Sequence, residues 1–199
     1  MGISPPLGRA DYWLLNGGLT PPRSLGYNVF MFLFITSTTY GQWLPGDERG
    51  YVSRDYHVVH NVPGTPVTKN NAKLKEFARR KLKGEPVLFN HEHATALLSQ
   101  FQETATYRHW KLCGVAIMPN HVHVLIEVPD TESLDKVAGN LKSYGSRRLN
   151  KDFGTPSSGT WWTSGSSVRC KSVESVPSLI EYMKGQHNPL LIWLAPEFE

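Results

Sequence analysis

The chain has 199 residues, enough for one well-cored domain, and its 40% hydrophobic and 19% charged residues are the proportions of an ordinary globular protein. A net charge of +4 permits a polyanionic partner without demanding one. Two cysteines, Cys113 and Cys170, with no CxxC pair, exclude a disulfide framework and suit a reducing, cytoplasmic setting. The longest dense apolar run, "VFMFLFI", is far too short to span a bilayer, and no signal-peptide pattern opens the chain, so no membrane partner is expected.

Residues 1–28 hold four prolines and five glycines and no helical or strand period, and are expected to form a disordered extension. Residues 29–199 then form the domain. Val29 to Ser37 predicts a buried strand. "TYGQWLPGDERGYV" and "HNVPGTPVTKN" read as loops. Residues 71–84 predict a short helix with Leu74, Phe77, Ala78 and Leu82 near one side, ended by Gly84. Its remaining surface is basic. A second helix covers "ATALLSQFQETATYR", with Leu97, Leu98 and Phe101 facing the core. The preceding "NHEHA" places His91 and His93 at a helix start, where residues two apart diverge by about 200°, so they read as cap or loop residues.

"HWKLCGVAIM", a tight "MPN" turn and "HVHVLIEV" predict two antiparallel strands. A third helix is expected from about Glu132 to Asn150, capped by Asp130, Thr131 or Ser133. "KDFGTPSSGTWWTSGSSVR" reads as irregular, and Pro177 to Lys184 as a short helix with Leu179, Ile180 and Met183 on its apolar side. Helices interleaved with antiparallel strands predict an α+β sandwich.

Side chains alternate across a strand. Val122, Val124, Ile126 and Val128 therefore share one face, and His121, His123, Leu125 and Glu127 the other. The two histidines have Cα atoms about 6.6 Å apart, close enough to converge on one metal ion or one phosphate. In the helix that follows, the stripe Leu134, Val137, Ala138, Leu141 continues through Tyr144, Gly145 and Leu149, which turns Tyr144 toward the sheet. Lys142, Arg147, Arg148 and Lys151 surround that tyrosine with positive charge. A phenol ordinarily ionises near pH ~10, so it needs nearby cations or a base to act as a nucleophile at neutral pH.

"AIMPNHVHVLIEV" followed by "LKSYGSRRLN" resembles the HUH single-tyrosine transposases, in particular the REP-associated tyrosine transposase group and its insertion-sequence-200-like relatives. "FITSTTYGQWLPGDERGYV", "HNVPGTP" and "GTWWTSGSSVR" look like further blocks of the same group in the same order. The resemblance runs from about Val29 to the C-terminus. It implies a ferredoxin-like α+β sandwich whose central antiparallel sheet carries the histidine pair. By motif position, His121 and His123 would bind Mg²⁺ or Mn²⁺, and Tyr144 would attack single-stranded DNA at hairpin-containing element ends. The products would be a 5′-phosphotyrosine link and a free 3′-OH. A homodimer and a chain that works alone both occur among such relatives. One departure stands out: relatives often place an amide or acidic ligand about one helical turn after the tyrosine, and four residues after Tyr144 stands Arg148. Asn140, Asn150, Gln186, Glu127 or water would have to take its place.

The clusters at 73–83 and 142–151 could neutralise phosphates. Lys142, Arg147, Arg148 and Arg169 are the expected DNA contacts, while Trp161 and Trp162 either offer surfaces for stacking unpaired bases or close the core under their loop. Two other functions fit parts of the pattern: a non-catalytic nucleic-acid-binding module of the same fold, and a hydrolytic metal-dependent phosphodiesterase.

Overall fold

The computed structural model describes residues 29–47, 71–163 and 167–199. The N-terminal 28 residues and the "HNVPGTPVTKN" loop lie outside them. The described elements are β1 (Phe30–Thr38), α1 (Ala72–Arg80), α2 (His91–Tyr107), β2 (Lys111–Ile117), β3 (His121–Pro129), α3 (Leu134–Phe153), β4 (Ser167–Lys171), α4 (Val176–Lys184) and β5 (Leu191–Leu194). All strand pairs are antiparallel, in the order β4-β1-β3-β2-β5. Two strand–helix–strand units, β1-α2-β2 and β3-α3-β4, interleave so that their strands alternate in the sheet. That is the expected ferredoxin-like arrangement, to which α4 and the edge strand β5 are added.

The sheet buries apolar side chains on both faces. Val122, Val124, Ile126 and Val128 of β3 join Leu33, Ile35, Val115 and Ile117 in a core with Leu97 and Phe101 of α2 and Val137, Leu141 and Leu149 of α3. On the opposite face Phe34, Ala116 and Leu125 pack against Val176, Ile180 and Met183 of α4. The continuous valine seam and the mixed histidine face thus receive different helices, as period-two alternation requires.

Several boundaries differ from expectation. α1 stops at Arg80, where the Lys81 N–H donates to the Ala78 carbonyl and the Leu82 N–H to that of Arg79. Gly84 serves a close approach instead: a Cβ there would stand 2.4 Å from the backbone nitrogen of Ser158. α3 starts at Leu134 after Ser133, whose hydroxyl makes no capping bond, and continues past Asn150 to Phe153. The segment expected to be irregular contains most of β4, which owes its strand conformation to pairing with β1 (Ile35 opposite Val168, Leu33 opposite Cys170) rather than to propensity. β5 is only four residues long and acquires its register from β2, with Trp193 opposite Val115.

The expected role of His93 is borne out. Asn90 Oδ1 accepts from the His93 backbone N–H at 2.9 Å, and His93 Nδ1 accepts from the Asn90 N–H at 3.2 Å, which closes a capping box. Gly145 marks the close approach of α3 to α2, since a Cβ there would lie 2.9 Å from Leu97 Cδ2 and 3.3 Å from Phe101 Cε1. Gly139, on the exposed side of the same helix, has nothing within 4 Å of its missing Cβ. Urea unfolding should separate the two. Gly145→Val overpacks the α2–α3 contact and is expected to destabilise by about 1–3 kcal/mol. Gly139→Ala is expected to stabilise by up to about 1 kcal/mol.

Candidate active site

β3 begins with His121, at the end of the sheet where β1 finishes, and its register sets Thr38 opposite His121 and Thr36 opposite His123. Directly opposed residues share a face, so Phe34, Thr36, His121 and His123 form one patch. His123 is 4% exposed. Its Nδ1 lies 2.8 Å from Thr36 Oγ1, and its ring stacks on Phe34 at 5.2 Å with planes 20° apart. His121 is half-buried, and its Nδ1–H donates to Asn120 Oδ1 at 2.6 Å. The two imidazole centroids are 4.8 Å apart.

Burial, and secondarily the neighbouring His121, push the His123 pKa down from 6.5 to about 4. The ring is therefore neutral near pH 7, the form that can ligate a metal ion.

The third member of the patch comes from α4. Tyr182 Oη lies 3.4 Å from His123 Nε2, and the Tyr182 ring meets Phe34 edge-on at 6.0 Å. α4 is anchored by Val176, Ile180 and Met183, all buried against the histidine face, while Tyr182 remains 51% exposed at its rim. Just past the helix, the Gln186 amide Nε2–H donates to the Tyr182 carbonyl at 3.1 Å. The oxygen of that amide keeps its acceptor capacity. Among the described residues no group of three His, Cys, Asp or Glu side chains could hold a metal ion. A complete shell around the two imidazoles would therefore use an amide oxygen or water, and Gln186 is the amide fastened to the tyrosine that touches His123.

Tyr144 is placed elsewhere. α3 packs on the valine face of β3, opposite the histidines. Tyr144 is half-buried there, with the Arg147 guanidinium 5.0 Å over its ring. The structure brings His121, His123 and Tyr182 together and does not bring Tyr144 to them. Arg148 pairs with Asp152 on its own helix. Asn140 Oδ1 accepts from Arg108, and Asn150 Oδ1 accepts from Trp161 Nε1, so both amides are engaged on the α3 side. Glu127 shares the histidine face, but four residues along a strand is about 13 Å from His123.

The remaining expected DNA contacts divide. Lys142 is half-buried, donates its Nζ to the Thr163 carbonyl at 3.0 Å, and has its pKa lowered by burial. Arg147 is exposed. The side chain of Arg169 lies outside the described residues. Trp161 and Trp162 are 5% and 4% exposed, so neither offers a face for base stacking. They pack around Phe89 and are tied by their indole N–H groups to Asn150 and Ser146 of α3. Aromatic side chains in a Gly/Ser-rich loop here close the core beneath it.

Tyr182 was hidden in the sequence because Leu179, Ile180 and Met183 account for its helix without it. The available signal was Gln186, an amide four residues beyond a tyrosine.

A family model described as IS200-like transposase matches residues 81–186, just over half of the chain. No curated protein matches. Among solved structures, a protein from Deinococcus radiodurans R1 classed as a transposase is 16% identical. It matches with a TM-score of 0.44, over 85% of this chain and 99% of that one. A REP-associated tyrosine transposase bound to a REP hairpin is 8% identical, with a TM-score of 0.41 over 83% of this chain and 70% of that one. No helix among the described residues is long and apolar enough to cross a membrane.

The buried imidazole has a pH signature. Between pH 6.5 and about 4 the unfolded chain binds a proton that folded His123 refuses. Stability therefore falls as the pH falls through this window, and the loss levels off below about pH 4. The gap corresponds to about 3 kcal/mol in full. In metal-free buffer, lowering the pH from about 7 to about 5 should cost the wild type about 2 kcal/mol more than His123→Asn, measured by urea midpoints.

Proposed function

This chain belongs to the IS200-like transposase family, and on that premise we propose that it cleaves and rejoins single-stranded DNA with Tyr182 as the nucleophile. The observation that carries the assignment is the 3.4 Å approach of Tyr182 Oη to His123 Nε2 within one chain. Tyr144, the tyrosine expected to act, sits across the sheet from the histidines. With Tyr182 in the role, the residue four positions later is Gln186, an amide, and the mismatch at Arg148 loses its meaning.

The chemistry assigned to each group is limited. The Tyr182 phenolic oxygen forms a bond to the phosphorus while the bond from phosphorus to the 3′ oxygen breaks. The phenolic proton is given up, and the departing oxygen takes a proton to become a free 3′-OH. The DNA stays attached through a 5′-phosphotyrosine ester, which a second 3′-OH attacks in the reverse sense. His121 and His123, with Gln186, are the residues that would hold Mg²⁺ or Mn²⁺. Bound there, such an ion would offset the negative charge that shields the phosphodiester from nucleophiles. A buried, neutral His123 ring that turns its Nε2 toward Tyr182 fits that role. Thr36 and Phe34 hold the His123 ring in place, and the exposed rim at Tyr182 leaves room for a DNA strand. Because both histidines and the tyrosine belong to one chain, the reading needs no second subunit to complete the site.

Incubation with single-stranded oligonucleotides from the flanks of its own coding region, plus Mn²⁺, should yield a covalent protein–DNA adduct on denaturing gels. Tyr182→Phe should abolish the adduct and Tyr144→Phe should retain it. His123→Ala should reduce its rate by at least about 100-fold. An adduct lost in Tyr144→Phe but kept in Tyr182→Phe would reverse the assignment. DNA bound without any adduct would instead favour a non-catalytic binding module.

A further inference from the structure

α1 contains no buried residue, although it is well fastened at both ends. At its start Asn71 Oδ1 accepts from the Leu74 N–H at 3.0 Å, and the Asn71 N–H donates to the Gly46 carbonyl at 3.1 Å. Gly46 is required there: its φ is +88°, and a Cβ would stand 2.4 Å from the Asn71 oxygen. One turn on, Lys75 Nζ pairs at 3.0 Å with Asp47, which is 3% exposed. Beyond the helix, the Lys83 N–H donates to Tyr40 Oη at 2.7 Å. Gly46, Asp47 and Tyr40 belong to the turn that leaves β1, and this turn begins where the Thr39 N–H donates to the Asn120 carbonyl, beside His121.

A helix normally earns its place by burying an apolar stripe. This one is instead fastened to the turn that leaves β1 beside His121, and most of its residues are exposed. The helix presents Lys73 and Arg79, the residues just after it add Lys81 and Lys83, and its sole acidic residue, Glu76, is paired with Arg80. Phe77 lies 48% exposed in the middle of that basic surface, with Lys81 Nζ 5.6 Å from its ring centre. Trp43, on the anchoring turn, is 42% exposed. Cations that track a backbone, alternating with exposed aromatic faces, are the combination that holds unpaired nucleic acid.

We propose that α1 and the Tyr40–Asp47 turn form the docking surface for the unpaired stretch of substrate DNA flanking the cleaved phosphate. Lys73, Arg79, Lys81 and Lys83 neutralise its phosphates, and Phe77 and Trp43 stack on its bases. This rests on the strand-transferase reading and gives that site a specific entry path. The charge balance of the helix selects a polyanion, and the exposed aromatics select unpaired bases over a closed duplex.

The test measures binding of a fluorescein-labelled single-stranded oligonucleotide, a blunt hairpin and a hairpin with an unpaired flank, by anisotropy across a salt series. Each phosphate neutralised on a single strand contributes about 0.7 to the slope of log Kd against log salt. The combined variant Lys73→Gln, Arg79→Gln, Lys81→Gln, Lys83→Gln should therefore flatten that slope by about 2–3. Phe77→Ala and Trp43→Ala should each weaken binding of the unpaired strand by about five- to 100-fold. Blunt-hairpin binding should change little, and because α1 has no buried residue, the thermal melt of the Lys/Arg and Phe77 variants should match the wild type. The Tyr182 adduct should still form at saturating oligonucleotide. Wild-type affinity and salt slope in the charge variant, with the adduct intact, would overturn the docking surface alone. Affinity lost for the blunt hairpin but kept for the unpaired strand would overturn the choice of occupant. A wild type that binds none of the three DNAs would overturn the strand-transferase reading itself.

Discussion

β3 lies in the middle of the sheet and is hydrogen-bonded on both sides, to β1 and to β2. Its side chains have only two directions to take, and the strand period of two sorts them strictly. Val122, Val124, Ile126 and Val128 go to the face covered by α2 and α3, and His121 and His123 go to the face covered by α4. A slip of one residue would bury two imidazoles against the apolar helices and turn the valine seam toward the site. The core and the candidate active site are therefore specified by the same register. The Thr36–His123 contact and the Phe34–His123 stack are consequences of it, since β1 is aligned by the same ladder.

That coupling explains what could be read in advance. The valine seam and the H-x-H spacing are local facts of one strand, and the histidines stand where alternation puts them. The α2 and α3 stripes are long enough for a helical period to appear. β4 and β5 could not be read in this way. "SVRC" and "LIWL" are short, and their extended conformation comes from β1 and β2 lending them hydrogen-bond partners, which no local pattern encodes.

The tyrosine shows the same limit more sharply. Periodicity assigned Tyr144 to the core stripe of α3, where it is only half-buried, and adjacency in sequence suggested that α3 covers the histidines. A helix that follows a strand can pack on either face of the sheet, and nothing within β3 or α3 chooses between them. The choice is made by the interleaved topology, which places α2 and α3 together on the valine face and leaves the histidine face to α4. Trp161 and Trp162 illustrate the converse. Composition left open whether their loop was a stacking platform or a lid on the core; their indoles find partners on α3 and fill the space around Phe89.

The way α4 is held bears on how Tyr182 can work. A short connection joins β4, ending at Lys171, to the helix starting at Val176, and six residues separate Lys184 from β5 at Leu191. Both flanking strands are paired into the same sheet, β4 with β1 and β5 with β2. Gly114 of β2 permits this fit, because a Cβ there would come within 3.0 Å of Leu194 and 3.2 Å of Met183. With Ile180 and Met183 buried, the helix cannot leave the sheet without opening that core. The phenol at its rim nevertheless stays half in water. A firmly anchored helix with a half-exposed tyrosine beside a buried, neutral imidazole is the arrangement that the proposed nucleophile would need to keep its alignment.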